Sequence, residues 1–270
     1  MKITYQGETG AYSEIAVYKF FGNKAKPTPC KDFRDVFESV KTNTAKNGVI
    51  PIENSIEGSV NQNYDNFLTY DLKVCGEIAI KLEHVLITNP QTNPKDITTI
   101  YSHPQALGQC RTYLEKHKWE LTPTYDTAGS VKIIKEKQLL NTAAIASEKA
   151  ADLYNMKIIA RNISDNPANY TRFLVLAHQD APPTGDDKTS IIFSAKHAPG
   201  TLYNVIGEFA TRNINLTRIE SRPTKTTAWQ YNFYLDFEGY RTEKRCTDAL
   251  QALEKHTTFI KVLGSYPRII

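Results

Sequence analysis

Asp165-Asn-Pro-Ala-Asn-Tyr-Thr-Arg-Phe-Leu-Val-Leu176 is a polar loop, stiffened by Pro167, that runs into a strand read from Phe173, Val175 and their neighbours. Thr171 and Arg172 therefore stand at the mouth of a strand, where sheet fixes a side chain and loop leaves it accessible. Thr171 offers a hydroxyl that donates and accepts, and Arg172 a fixed cation able to grip a carboxylate in two places. Taken alone, the pair also reads as a β-propensity threonine followed by a surface arginine.

Upstream, Ile3, Tyr5 and their neighbours form a short strand. Gln6-Gly-Glu-Thr-Gly10 then turns tightly into a helix carrying Ile15, Ala16, Tyr18 and Phe20. A second strand–helix pair covers 28–30 and 33–40, with Phe33, Val36, Phe37 and Val40 on one helical face. Gly48-Val-Ile-Pro-Ile52 reads as a buried strand, ending near Pro51. It leads through Glu53-Asn-Ser-Ile-Glu-Gly58 into a helix with Val60, Tyr64, Phe67 and Leu68. Strand, polar turn, helix is an α/β rhythm.

Residues 73–88 alternate as extended chain through Val74, Ile78, Ile80, Leu82, Val85 and Ile87, and serve as a crossing into a second lobe. That lobe is expected to hold a strand at 97–101, a helix at 102–116, a strand near 119–122, a helix at 127–137, a strand at 142–146 and a helix at 147–154. Residues 158–160 and 173–177 bring the chain back. An inserted lobe with two crossings predicts a two-lobed α/β domain of periplasmic-binding-protein-like organisation, with ligand in its cleft. Lobe one is about 1–77 and 158–178, and lobe two about 78–157, within a domain of 1–178.

Residues 179–187, Gln-Asp-Ala-Pro-Pro-Thr-Gly-Asp-Asp, lack apolar periodicity and read as a linker. Beyond it, over 188–270, the pattern becomes β-α-β-β-α-β. Ile191, Phe193 and Ala195 make the first strand, and Leu202, Val205, Ile206, Phe209 and Ala210 a helical stripe. A second strand covers 214–222, and Trp229, Tyr231, Phe233, Leu235 and Phe237 alternate in a third. Cys246, Ala249, Leu250 and Leu253 mark a helix, and 259–263 the last strand. This order gives an α+β ferredoxin-like sandwich.

The balance of 33 basic against 29 acidic residues, a formal charge of +4, is too mild and too interspersed to imply nucleic acid. There is no apolar run long enough to cross a bilayer, and Met-Lys-Ile-Thr-Tyr5 enters a strand without a signal-peptide pattern. Cys30, Cys75, Cys110 and Cys246 have neither metal-ligand spacing nor the density of a disulfide framework. The expectation is a reduced, cytoplasmic protein without metal or cofactor.

Three polar turns at strand ends converge with Thr171-Arg172 on one cleft. Ser102-His-Pro-Gln-Ala-Leu-Gly-Gln-Cys110 opens a helix that Ser102 or His103 caps, with Pro104 in its first turn. Ser102, Gln105 and Gln109 are spaced near whole turns and share a face, while Leu107, Cys110 and Leu114 point to the core. Capped surface helix and ligand site both fit this stretch. In the second turn, Asn54 and Ser55 can donate to a ligand oxygen and Gly58 admits a close backbone amide. Glu53 and Glu57 serve there either as a carboxylate pair or as turn residues. Gly7–Glu14, with Tyr12 and Ser13, supplies the third. A cleft of neutral donors plus an arginine suits a small anionic substrate.

Gln6-Gly-Glu-Thr-Gly-Ala-Tyr-Ser-Glu14, Pro51-Ile-Glu-Asn-Ser-Ile-Glu-Gly-Ser-Val60, Ser102-His-Pro-Gln-Ala-Leu-Gly-Gln-Cys110 and Asn169-Tyr-Thr-Arg-Phe173 closely resemble the prephenate dehydratase family. Gly200-Thr-Leu-Tyr203 and Glu220-Ser-Arg-Pro223 resemble the paired signatures of the phenylalanine-binding ACT domain, with Thr201 where that signature has alanine. The resemblance spans nearly the whole chain, in order. It implies a lyase that converts prephenate to phenylpyruvate, water and carbon dioxide in phenylalanine biosynthesis. Arogenate dehydratase and a non-catalytic amino-acid sensor are the alternatives. No mutase segment precedes Met1, so the monofunctional form is expected.

By the resemblance, Thr171 donates to the leaving hydroxyl, and Asn54, Ser102 and Gln109 orient the substrate. Ser55, Gly58, Gln105, Arg172 and Phe173 surround it, Arg172 either anchoring a carboxylate or bracing its strand. Gly200, Thr201, Leu202, Leu216, Ile219, Glu220 and Ser221 form the effector site for L-phenylalanine. Leu216 and Ile219 have opposite strand parity, which a local irregularity at the site or packing on both sheet faces explains. The expected assembly is a homodimer or homotetramer through the ACT domains, with no nucleic acid or membrane partner.

Overall fold

The computed structural model describes residues 1–196, 198–224 and 230–269. Trp229, placed by its alternation in the third strand of the C-terminal sandwich, lies outside the described residues. The chain forms two compact units, Met1–Asn63 with Ile78–Phe173, and Tyr64–Glu77 with Leu174–Ile270.

In chain order the elements begin with β1 (Lys2–Gln6), α1 (Tyr12–Phe21), β2 (Lys26–Cys30), α2 (Phe33–Lys41), β3 (Asn47–Asn54), β4 (Gly58–Ser59) and α3 (Asn61–Thr69). Next come β5 (Lys73–Lys81), β6 (Val85–Thr88), β7 (Thr99–Ser102), α4 (Pro104–Gln109), α5 (Arg111–Leu114), β8 (Glu120–Pro123) and α6 (Thr127–Glu136). Then follow β9 (Thr142–Ala146), α7 (Glu148–Tyr154), β10 (Lys157–Ala160) and β11 (Tyr170–Ala177). The strand order is β2-β1-β3-β11-β5, with β4 on β3, in one sheet and β10-β6-β9-β7-β8 in another.

Within the first unit the chain leaves the sheet containing β1 at residues 82–84, builds the second sheet, and returns through 161–169. The two crossings are tied to each other: Leu82 N donates to Asn169 O at 2.8 Å and Ile163 N to His84 O at 3.4 Å. This is the two-lobed α/β arrangement expected from the sequence.

Local chemistry explains the elements. In α2, Val36, Phe37 and Val40 are buried, and Asp32 and Asp35 close its start with a reciprocal capping box. Strand β9, Thr-Ala-Ala-Ile-Ala, is buried along its whole length. Its Ala144 and Ala146 pack with Ala128, Val131 and Ile134 of α6, while Ala143 and Ile145 pack with Ala106, Leu107, Cys110 and Leu114. Strand alternation thus sends successive residues into two helical layers, and small side chains keep those layers close.

Three expectations are corrected. The helix expected over 102–116 is two, α4 and α5, broken at Cys110. The loop residue Asp165 takes the backbone groups that would continue the helix: its amide donates to Gln109 O at 2.8 Å, and its carboxylate accepts from Thr112 N at 3.0 Å. Pro51 does not end β3, which runs to Asn54. Pairing of β3 with β1 stops at Val49, so the missing proline N–H removes no bond on that side. Strand β11 starts at Tyr170, so Thr171 and Arg172 lie inside the strand.

The second unit contains β12 (Asp187–Ala195), α8 (Thr201–Ala210), β13 (Leu216–Pro223), β14 (Tyr231–Glu238), α9 (Lys244–Leu253) and β15 (Thr257–Pro267). Its sheet order β13-β14-β12-β15 is the ferredoxin-like one, and each adjacent pair is antiparallel. Ile191, Phe193, Val205, Phe209, Leu235, Phe237, Cys246 and Leu253 form its core. Each fully buried aliphatic or aromatic side chain there contributes roughly 1.5–3 kcal/mol. The parity of Leu216 and Ile219 has a structural answer. The register with β14 shifts between Leu216 and Arg218, so Leu216 pairs with Phe237 and Ile219 with Leu235. One extra residue, Thr217, returns both to one sheet face, where Leu216 packs on the core and Ile219 is exposed at the sheet edge, and Arg218 and Glu220 take the other.

Candidate active site

The first unit encloses a cleft of about 440 Å³. Asn54, Gln105, Gln109, Thr171 and Phe173 line it together, although they come from both lobes and from β11. Alternation along β11 accounts for the neighbours of Thr171: Thr171 and Phe173 share the cleft face and Arg172 points the other way. Arg172 Nε lies 3.2 Å from a Glu53 carboxylate oxygen instead.

The donor pattern at the centre follows from two backbone amides. Ile56 N and Glu57 N each donate to Asn54 Oδ1 at 2.9 Å, which fixes that atom as the oxygen. Asn54 Nδ2 therefore donates, to Asn169 Oδ1 at 2.7 Å and to Thr171 Oγ1 at 3.0 Å, and also contacts Tyr170 O at 3.1 Å. With its oxygen occupied, Asn169 donates through Nδ2 to Gln109 Oε1 at 2.9 Å. That same Gln109 oxygen lies 2.8 Å from His84 Nε2, so the histidine carries its proton there. Two consequences face the cleft. Thr171 accepts from Asn54 and keeps its own proton for a ligand. Gln109 Nε2 makes no hydrogen bond to the described residues and presents two donors.

The electrostatics come from backbone more than from side-chain charge. Among the described residues, those lining the cleft include neither lysine nor arginine. Tyr12 and Ser13 open α1, Asn61 and Gln62 open α3, and Thr127 opens α6, all at the cleft wall. Amides in the first turn of a helix are unpaired and lie at its positive end, so they attract anions. Asp126 caps α6 by accepting from Gly129 N at 2.9 Å. Burial raises the pKa of its carboxyl, an effect opposed by the backbone amides of Gly129 and Ala128. The Asp126 carboxylate also closes on the β1–α1 turn: a Cβ on Gly7, whose φ is +116°, would meet Asp126 Oδ2 at 3.0 Å. Burial lowers the pKa of His84, against a smaller opposing effect of its bond to Gln109.

Other expected site residues stand outside the lining. Ser102 is buried and donates to Ile145 O at 2.6 Å, across the sheet. His103, which does line the cleft, is the residue that caps α4, its Nδ1 accepting from Gln105 N at 3.3 Å. Ser55 sews the turn to β11, with Oγ donating to Ala168 O at 3.0 Å and accepting from Tyr170 N at 2.9 Å. Gly58, with φ +79°, pairs with Asn54 and lets Ser59 reach the cleft.

Sequence reasoning assigned no role to His84, Asn169, Asp126 and Tyr125. For His84 a weak signal existed, since Leu82-Glu-His84 interrupts the apolar alternation of the crossing. For Asp126 the signal was its place before Thr127, an N-cap pattern.

In the second unit, Thr201 and Leu202 line a cavity of about 220 Å³ with Ser194, Thr224, Tyr231 and Phe233. Gly200 precedes them as the N-cap of α8, with φ +80°. Leu216, Ile219, Glu220 and Ser221 lie on β13, at the edge of the sheet and outside that cavity's lining. Glu220 lies 3.0 Å from Arg218 Nη2.

Residues 3–181 match the family described as prephenate dehydratase. A bifunctional chorismate mutase/prephenate dehydratase of Aquifex aeolicus is 44% identical over 273 residues, covering 100% of this chain and 74% of that one. An Arabidopsis thaliana protein, arogenate dehydratase/prephenate dehydratase 2, chloroplastic, is 41% identical over 278 residues, 99% of this chain and 73% of that one. The solved prephenate dehydratase of Arthrobacter aurescens, in complex with L-Phe, is similar with a TM-score of 0.91 and 32% identity, over 99% of this chain and 90% of that one. With the match running through both lobes and all three polar turns that line the cleft, the chain belongs to the prephenate dehydratase family.

Proposed function

We propose that this chain converts prephenate to phenylpyruvate, water and carbon dioxide, with Thr171 giving the proton that lets the hydroxyl leave. The observation that carries the assignment is the fixed direction of the Asn54–Thr171 bond, which reserves the threonine proton for the cleft. As the C–O bond breaks, the C–C bond to the ring carboxylate breaks too. Its electron pair enters the ring, which becomes aromatic, and carbon dioxide departs. One proton is consumed: it passes from Thr171 to the leaving oxygen, which departs as water, and solvent returns a proton to the threonine oxygen. Threonine is a poor full acid, so donation is partial and trails C–O cleavage. Donation from Asn54 into Thr171 Oγ1 strengthens the threonine as a donor.

The same reading explains the lack of cations in the lining. A lysine or arginine against the ring carboxylate would stabilise the group that must depart. Helix N-termini and the Gln109 amide hold the substrate with weaker, directed dipoles. Arg172 braces β11 through Glu53. The test is turnover of prephenate, followed by phenylpyruvate formation, with arogenate in parallel. Arogenate is the second reading, favoured by the printed name of the Arabidopsis relative. A kcat/KM at least tenfold higher for prephenate supports the first, and the reverse ratio the second.

Residues 1–178 carry this reaction in our reading, and 188–270, joined through 179–187, form an ACT domain that binds L-phenylalanine. The L-Phe of the Arthrobacter structure and the cavity lined by Thr201 and Leu202 support it. The edge position of β13 supports completion of the effector site by a second subunit, in a homodimer or homotetramer. Among the described residues no helix is long and apolar enough to cross a membrane, and a cytoplasmic location goes with the biosynthetic role. Phenylalanine is expected to reduce prephenate turnover.

A further inference from the structure

We infer that His84 is a positioning residue for this reaction, acting through Gln109; the inference rests on the reaction proposed above. His84 sits on the first crossing between the lobes, Gln109 at the end of α4 in lobe two, and Asn169 on the returning crossing. The Gln109 oxygen accepts from both crossings at once, from His84 Nε2 at 2.8 Å and Asn169 Nδ2 at 2.9 Å. Two donors on one oxygen leave the Gln109 amide a single orientation, with Nε2 turned to the cleft. His84 is held in turn by Tyr12, whose hydroxyl donates to Glu83 O at 2.8 Å and lies 3.3 Å from His84 Nδ1. The Tyr12 ring meets the imidazole edge-on, with centroids 5.7 Å apart. The buried histidine ring is therefore held between Gln109 and Tyr12; its bond to the Gln109 oxygen requires hydrogen on Nε2, which leaves Nδ1 to accept from a Tyr12 proton shared with Glu83 O. That tautomer gives Gln109 its second donor. The other would set one lone pair against another and release the amide to rotate.

Steady-state kinetics of four variants test this. His84→Leu removes the donor and is expected to lower kcat/KM roughly tenfold or more. His84→Gln places an amide N–H near the same point and is expected to stay within about threefold of the parent chain. In a Gln109→Leu background, adding His84→Leu is expected to cost no more than about twofold, because the path runs through Gln109. Equal losses in both backgrounds, or a His84→Leu variant with parental kcat/KM, would overturn the inference. The 15N chemical shifts of the His84 ring in the unaltered chain give a readout independent of turnover. Hydrogen on Nε2 supports the arrangement, and hydrogen on Nδ1 refutes it even if the leucine variants fail to fold. A parent chain inactive on prephenate would instead refute the proposed reaction, leaving the tautomer measurement to decide the role of His84.

Discussion

Asn54 Nδ2 and Thr171 Oγ1 lie 3.0 Å apart although their residues are 117 positions apart in the chain, and the bond between them has only one possible direction. Because Asn54 Oδ1 is already held by two backbone amides, its nitrogen faces Thr171 and the threonine oxygen must accept. A hydroxyl that accepts within the protein donates outward.

Asn54→Asp tests that direction. The aspartate keeps an oxygen for Ile56 N and Glu57 N but presents its second oxygen to Thr171, which would turn its proton inward to donate. Turnover of prephenate is expected to fall about 10²–10³-fold, as for loss of one well-placed donor. Melting temperature is expected to fall, because the new oxygen also faces Asn169 Oδ1 and Tyr170 O, while circular dichroism of the folded variant stays close to the parent. Activity within threefold of the parent would contradict the bond direction.

Acidification should destabilise the chain through the buried His84 and the half-buried His103. Burial lowers the pKa of His84 and of His103 relative to an unfolded histidine, near 6.5. The unfolded chain therefore binds more protons than the folded one as pH falls below about 6.5. Their contribution is complete above that pH and is lost progressively down to the folded pKa values. Melting temperature measured from pH 8 to pH 5 is expected to fall, and His84→Gln to flatten part of the slope. A melting temperature unaffected by His84→Gln at every pH would contradict this.

In the second unit, the buried Lys188 ammonium lies 2.8 Å from Glu77, whose side chain is completely buried. Glu77 also accepts from Ile269 N at 3.2 Å. Removing one charge leaves the other uncompensated, so Lys188→Met is expected to cost about 3–5 kcal/mol. Adding Glu77→Leu is expected to recover much of that loss, because the pair replaced by apolar groups no longer needs compensation. Urea titrations of the single and double variants measure both.

Gly264 stands beside a shift in the β12–β15 register, at φ +154°. A Cβ there would overlap the carbonyl oxygen of Val74, a backbone atom that no rotamer change can move. Gly264→Ala is expected to destabilise the chain by about 2 kcal/mol or more, against no loss for Gly207→Ala, a helical glycine where a Cβ meets nothing within 4 Å.

Local pattern carried most of the architecture. The alternation of 231–237 and the stripe from Leu202 to Phe209 report directly which face is buried, so strand and helix could be read without any partner. Features that depend on a distant group could not. The break at Cys110 is made by Asp165, 53 positions away from Thr112. The bulge at Thr217 showed only as a parity conflict between Leu216 and Ile219. In the cleft, Thr171, Asn54 and Gln109 were legible through the family motifs that carry them, since position alone left each with a structural reading as well. His84 and Asn169 were not, since a lone buried polar residue looks the same whether it braces a core or a site. Ser102 was assigned to the cleft on helical spacing. However, it belongs to β7, where its hydroxyl satisfies the Ile145 carbonyl.

The most direct test of the account is steady-state kinetics on prephenate for Thr171→Ala beside Thr171→Ser. Loss of the hydroxyl is expected to lower kcat about 10²–10³-fold with KM little changed, while serine, which restores it, retains much of the rate. An alanine variant that turns over prephenate at the parental rate would contradict the role of Thr171.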